Sequence, residues 1–125
     1  MNLELRSIIR AGDLAHERIT LRVRSSTDVG DYLMAQSGLD ENGNVTIGLH
    51  YTYWFTYKLV AAGDLVVLYT KAGTDSEKAL TTGKKAHFFY WGHSSAIWDQ
   101  PDRAAVLLNA PTWEHKSVKA LLTRD

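Results

Sequence analysis

Tyr51-Thr52-Tyr53-Trp54-Phe55-Thr56-Tyr57 runs through Lys58 to Ala61, then Ala62-Gly63-Asp64, into Leu65-Val66-Val67-Leu68-Tyr69-Thr70. This stretch reads as strand, turn, strand, and it decides the class of the fold. Side chains alternate with a period of two along an extended chain. Tyr51, Tyr53, Phe55 and Tyr57 therefore share one face, and Thr52, Trp54, Thr56 and Lys58 share the other. Both faces carry large rings, enough to fill a core on one side and to offer a binding platform on the other.

Working outward, most apolar runs have the same strand character. In Arg18-Ile19-Thr20-Leu21-Arg22-Val23-Arg24, the apolar Ile19, Leu21 and Val23 alternate with polar residues, the mark of a half-buried strand. Ser25 to Gly30 supplies turn residues before a strand from Asp31 to Gln36. Asp40-Glu41-Asn42-Gly43-Asn44 is a turn whose Asn-Gly pair tolerates positive φ, and it leads into the alternating Val45 to Leu49. Further strands are predicted at Ala86 to Trp91 and Ala104 to Asn109. Leu3 to Arg10 suits a bulged strand as well as a short helix, and Glu114 to Leu122 suits a short terminal helix or a last strand. Seven or more short strands punctuated by turns predict an all-β fold, a sandwich or a barrel. No amphipathic helix separates successive strands, so a parallel α/β architecture is not expected.

Composition sets the outer bounds. A chain of 125 residues fits one domain spanning 1–125. Hydrophobic residues make up 45% and charged residues 22%, ordinary globular usage that excludes a disordered chain. Fourteen basic and fourteen acidic residues cancel, so no global field draws the chain to nucleic acid or an anionic membrane. Binding to nucleic acid would need a local basic patch. With no cysteine, disulfides and thiolate metal sites are excluded, which fits a cytoplasmic protein. The amino terminus lacks the apolar run of a signal peptide, and no stretch is apolar enough for a spanning helix, so a soluble protein without membrane partners is expected.

Two longer runs resemble a known family. Tyr57-Lys58-Leu59-Val60-Ala61-Ala62-Gly63-Asp64-Leu65-Val66-Val67-Leu68-Tyr69, followed by Lys71-Ala72-Gly73-Thr74, is similar to the central strands of the immunoglobulin-like lamin-tail domain. His87-Phe88-Phe89-Tyr90-Trp91, then Ile97-Trp98 and the run to Asn109, resembles that family's aromatic strand, Trp-containing loop and hydrophobic strand. The resemblance covers residues 17–115 and departs at Pro101-Asp102, where the family carries Gly-Asp. It implies an immunoglobulin-like antiparallel β-sandwich of roughly seven to nine short strands, serving as a non-catalytic binding or scaffolding module.

Candidate chemistry is sparse. The five histidines, His16, His50, His87, His93 and His115, show no ligand spacing of i, i+2 on a strand or i, i+4 on a helix, and no metal or cofactor is expected. Asp40, Asn42 and Asn44 open like a calcium loop, but Val45 stands where its glycine is needed and no glutamate follows at position twelve. The loop from His93 through Ser94 and Ser95 to Asp99 and Asp102 holds the residue types of a hydrolase without a nucleophile elbow. Thr74 to Thr82, between Gly73 and Gly83, reads as a mobile hairpin loop with no phosphate-cradling motif.

Two surface leads remain. Arg18, Arg22 and Arg24 project from one strand face with Thr20 and suit phosphates or an acidic partner. Among the rings, Trp54, Phe55, Phe88, Tyr90 and Trp98 are assigned to the core. That leaves Phe89 and Trp91, on the opposite face from Phe88 and Tyr90, to look outward. The sequence thus points to a module binding a protein partner or a second copy of itself through Arg18, Arg22, Arg24, Tyr53, Phe89 and Trp91. A small hydrolase using the His93 to Asp102 loop and a sequence-tolerant nucleic-acid binder are the alternatives.

Overall fold

A computed structural model describes residues 1–123; Arg124 and Asp125, the end of the expected 1–125 domain, lie outside the described residues. In chain order the strands are β1 (Leu3–Ile9), β2 (Arg18–Val23), β3 (Thr27–Asp28), β4 (Tyr32–Leu39), β5 (Val45–Trp54), β6 (Leu59–Val60), β7 (Leu65–Tyr69), β8 (Ser76–Ala79), β9 (Lys85–Tyr90) and β10 (Arg103–Asn109). A short α-helix, α1, covers Val118–Leu121, one of the two readings left open for that segment. Its N-cap Ser117 accepts from the Ala120 N–H.

A five-stranded sheet, β1-β2-β7-β9-β8, packs in a sandwich with a three-stranded sheet, β10-β4-β5, and a two-stranded ribbon, β3-β6, lies alongside. All pairings are antiparallel except β7 with β9, which run parallel. The exception follows from the chain path: β8 is inserted between them, lies outside β9 and folds back on it through the Leu80–Lys84 turn.

The alternating patterns fall as the residues dictate. Ile19, Leu21 and Val23 of β2 meet Val66 and Leu68 of β7, Phe89 of β9 and Met34 and Tyr32 of β4 in one apolar cluster. Phe55 packs edge-on against Phe89 at 5.2 Å between centroids, and Ile97 and Trp98 close the same cluster from the loop after β9. Burying each such side chain contributes roughly 1.5–3 kcal/mol.

Several elements differ from expectation. Leu3 to Ile9 is a strand with a bulge between Leu5 and Ser7, one of the two open readings. Val45–Leu49 and Tyr51–Trp54 join into one ten-residue strand, because register shifts opposite Gln36, Ser37 and Leu39 absorb the extra residues. The strand stops at Trp54, so Tyr57 leaves the alternation and lies over Gly30, where a Cβ would stand 2.2 Å from its ring. The Asp40–Asn44 turn forms as read: Asp40 Oδ1 accepts from the N–H groups of Asn42 and Asn44, and Gly43 takes φ of 81°. Ser76–Ala79, expected within a mobile loop, is an edge strand paired to β9.

Candidate functional site

The outer face of the five-stranded sheet carries the arginine row. Cross-strand register sets Arg18 beside Tyr69 and Tyr90, Thr20 beside Val67 and Phe88, and Arg22 beside Leu65 and Ala86. The Tyr69 and Tyr90 rings stack at 5.3 Å with planes 9° apart. Above Tyr69 stand the Arg18 guanidinium, 5.7 Å from the centroid, and the Lys71 ammonium, 5.0 Å away. Gly73 lets the following loop cross Tyr90 closely, since a Cβ there would sit 2.4 Å from the ring.

The three arginines have different surroundings. Arg18 is half-buried and also donates to the His16 carbonyl at 2.9 Å, whereas Arg24 reaches Glu4 at 3.4 Å. Arg22 is exposed and, among the described residues, forms no ion pair. Beside it lies a groove of about 570 Å³ whose lining includes Arg6 and Arg22, the carboxylates Glu4 and Asp64, and Leu5, Leu65 and Leu80. Arg6, at the β1 bulge, joins Arg22 there, while Arg10 is drawn away by Asp13 at 2.9 Å.

Of the three aromatic residues expected at the surface, one is buried and two are partly buried. Phe89 is 2% exposed in the core and offers no surface to a partner. Trp91 and Tyr53 are partly buried, packed against the core and against each other at 6.0 Å. Burial, aided by the nearby Asp75, raises the Tyr53 phenol above its ordinary range. Of the five rings assigned to the core, Phe55 and Trp98 are buried, but Phe88 and Tyr90 stand half-exposed on the outer face and Trp54 is 45% exposed. Alternation paired the rings of β9 correctly; which pair looks inward depends on where the second sheet lies.

Trp54 belongs to a separate cluster. Its indole donates to the Gly30 carbonyl at 2.7 Å and packs edge-on against Trp113 at 4.7 Å, while Trp113 donates to the Tyr57 hydroxyl at 3.0 Å. The segment after β10 thus lays its own ring over this face.

Two buried carboxylates, neither singled out by the sequence, hold the loops around these surfaces. Glu17 is fully buried and accepts from the N–H groups of Gly12, Ile97 and Trp98 and from the Thr70 hydroxyl. Burial pushes its carboxyl up, but these four donors outweigh burial and hold it below its ordinary value. Asp64 accepts from the N–H groups of Ala61 and Lys85 and pairs with His87 Nε2 at 2.8 Å. Again burial raises the carboxyl, and the His87 and backbone bonds bring it below the usual range. The only hint of Asp64 in the chain was its place after Ala62-Gly63; Glu17 gave none.

Among the described residues no hydrogen bond links His93 to Ser94, Ser95, Asp99 or Asp102, and His93 Nε2 is buried without a partner. The His93 ring packs on Tyr51 and Trp91 at 4.8 and 5.3 Å. Burial lowers its pKa, with Glu17 opposing. Among the described residues, no group of three or more His, Cys, Asp or Glu is placed to hold a metal ion, and no helix is long and apolar enough to cross a membrane. A scan against protein-family models matches none of them to the chain, and a search of the curated proteins finds no match.

Proposed function

We propose that the chain is a non-catalytic binding module that engages an acidic protein segment across the outer face of its five-stranded sheet. The observation that carries this reading is the groove in which Arg6 and Arg22 stand among Leu5, Leu65 and Leu80, while its two carboxylates, Glu4 and Asp64, are engaged by Arg24 and His87. Guanidinium groups offer paired donors to carboxylates, and leucines beside them suit apolar side chains of the same partner. Arg18 and Lys71 extend the positive surface along the sheet. Single-stranded nucleic acid fits less well, because the Tyr69 ring on which a base would stack is already engaged by Tyr90, Arg18 and Lys71. The resemblance to lamin-tail domains agrees with a module that binds without catalysis.

Fluorescence anisotropy tests the reading with two probes at low salt: a twelve-residue peptide alternating glutamate and leucine, and a single-stranded oligonucleotide. The peptide is expected to bind, and Arg22→Glu to weaken it about tenfold or more. Equal binding by wild type and Arg22→Glu, or binding of the oligonucleotide alone, would overturn the proposal.

A second reading, self-association, has its own observation. Strand β5 is an edge of its sheet, contains no Lys, Arg, Asp, Glu or Pro, and exposes Val45, Ile47 and Leu49, with Ile47 99% exposed. Edge strands are usually protected by charge or proline. Antiparallel pairing about Ile47 would set Val45 of one copy opposite Leu49 of the other, a self-complementary pattern. Sedimentation across concentration should then show a dimer that Ile47→Lys abolishes; a wild-type monomer at high concentration rules this reading out.

A further inference from the structure

The outer face of the three-stranded sheet carries no charge. Register sets Leu33 between Trp54 and Leu108, and Ala35 between Thr52 and Val106. The next row, Leu49, Ser37 and Ala104, adds no ionisable side chain. On the other side of the same strands lies the core, where Tyr32, Met34, Ala105 and Leu107 pack. Strand β10 is therefore apolar on both faces, with Ala104, Val106 and Leu108 turned outward and Ala105 and Leu107 inward. An antiparallel sheet with one face in water alternates apolar and polar residues, so a strand apolar on both sides has the pattern of one covered on both sides. Here the outer side is open: Leu49 is 49% exposed, Trp54 45% and Leu108 43%.

Charge separates the partners of the two outer faces. The five-stranded sheet turns Arg18 and Arg22 outward and suits an acidic segment. On the three-stranded sheet a charged partner would lose its water and find no charge to pair with. The occupant must present an uncharged apolar surface, and the same face of a second copy is one: related by a two-fold axis, two such faces meet without like-charge contact. At the margin of the face, Trp113 is 48% exposed, yet it is held edge-on to Trp54 at 4.7 Å and by its bond to the Tyr57 hydroxyl. A large ring fixed in advance loses little freedom on association. Strands of ten, eight and seven residues, about 4.8 Å apart, present about 400 Å² in projection. Two such faces with their Trp113 rings come to about 1,000 Å², the lower bound of a specific interface, so the association is reversible and not obligate.

We propose that a second copy of the chain docks here sheet against sheet, Leu33, Trp54, Val106, Leu108 and Trp113 of each copy closing an apolar layer between two sandwiches. The surface differs from the one used in edge pairing of β5. Edge pairing extends the sheet sideways and leaves this face open, whereas stacking covers it. Each can occur without the other; where both occur, two edge-paired dimers stack into a tetramer.

Sedimentation equilibrium of the full chain across concentration tests it, with Leu108→Glu and Ile47→Lys beside wild type. Leu108 lies on β10, at the opposite edge of the sheet from β5. Wild type is expected to associate, and Leu108→Glu to weaken stacking about tenfold or more by placing an unpaired charge in the layer, which halves the mass where wild type is assembled. Thermal midpoints establish that the variants fold; should Leu108→Glu not fold, Val106→Lys replaces it with the same expected loss. An uncharged interface also holds its association constant within about twofold when sodium chloride rises from about 0.05 to about 0.5 M. Loss of mass in Leu108→Glu but not in Ile47→Lys supports stacking and removes edge pairing. The reverse leaves edge pairing standing and overturns stacking. A wild-type monomer at high concentration, or association that salt dissolves, also overturns the proposal.

Discussion

Glu17 and Asp64 are the same device at two places in the molecule, a buried carboxylate that ties loops to the five-stranded sheet, yet they end differently. Among the described residues Glu17 meets four neutral donors and no cation: three backbone N–H groups and one hydroxyl drawn from residues 12, 70, 97 and 98. Each donor is spent on the carboxylate, and the knot is closed. Asp64 meets two backbone N–H groups and His87 Nε2, and among the described residues the other nitrogen of that buried ring has no hydrogen-bond partner. Glu17 is closed by neutral donors alone, whereas Asp64 is bound to an imidazole whose own bonding is incomplete.

The largest expected effect breaks the closed end. Glu17→Gln replaces one accepting oxygen with an amide that faces donors, leaving buried N–H groups unpaired at about 1–3 kcal/mol each. The total is about 4 kcal/mol, measured as a fall in the denaturant midpoint with unchanged slope. A loss under 1 kcal/mol would mean that water replaces the carboxylate and that the anchor is not closed.

Asp64→Asn should cost less, about 2 kcal/mol, because the remaining oxygen still accepts from one side and the neighbouring groove admits water. If this variant proves the more damaging of the two, the contrast between a closed and an open end fails. A smaller effect sharpens the same contrast: Thr70→Val removes only the hydroxyl donor to Glu17 and should cost about 1 kcal/mol.

Acid titration separates the contributors. Glu17 lies below its ordinary value of 4.5 and Asp64 below 3.8. The unfolded chain therefore takes up these protons first as pH falls. The stability they confer is complete above about pH 4.5 and is lost as pH drops toward the folded values. His93 is also lowered, from 6.5, so its contribution is complete above that value and declines as pH falls below it. Denaturation measured against pH should show a shallow decline below 6.5 that His93→Phe removes, and a steeper one below 4.5 that Glu17→Gln reduces. A flat profile between pH 7 and 4 would contradict both assignments.

The core of β2 was legible because Ile19, Leu21 and Val23 alternate with polar residues, leaving one face able to be buried. The Asp40–Asn44 turn was equally plain, since Asn-Gly and an aspartate at its start make their bonds within a few residues. The rings of β9 were legible only as pairs. Phe88 and Tyr90 oppose Phe89 and Trp91 by period two, but both pairs are apolar, and hydrophobicity alone does not say which faces the second sheet. The arginine row was found by its pattern, while its division into Arg18 on Tyr69, Arg24 on Glu4 and an Arg22 without an ion pair among the described residues came from neighbouring strands. Strand β8 was missed because Ser76-Glu77-Lys78-Ala79 lacks apolar alternation; a solvent-facing edge strand is held by its backbone ladder to β9.

By itself the sequence determined the local matters: the all-β class, the turns, the alternation of each strand and the row of arginines. Those depend on residues within a few positions of one another. Only the tertiary structure decided that Glu17 answers to Ile97 and Trp98, 80 and 81 residues away, that Trp113 covers Trp54, and that Lys58 and Lys85 meet over Glu77. Such pairings are fixed by how the sheets stack and where the chain crosses between them, and no local spacing records that.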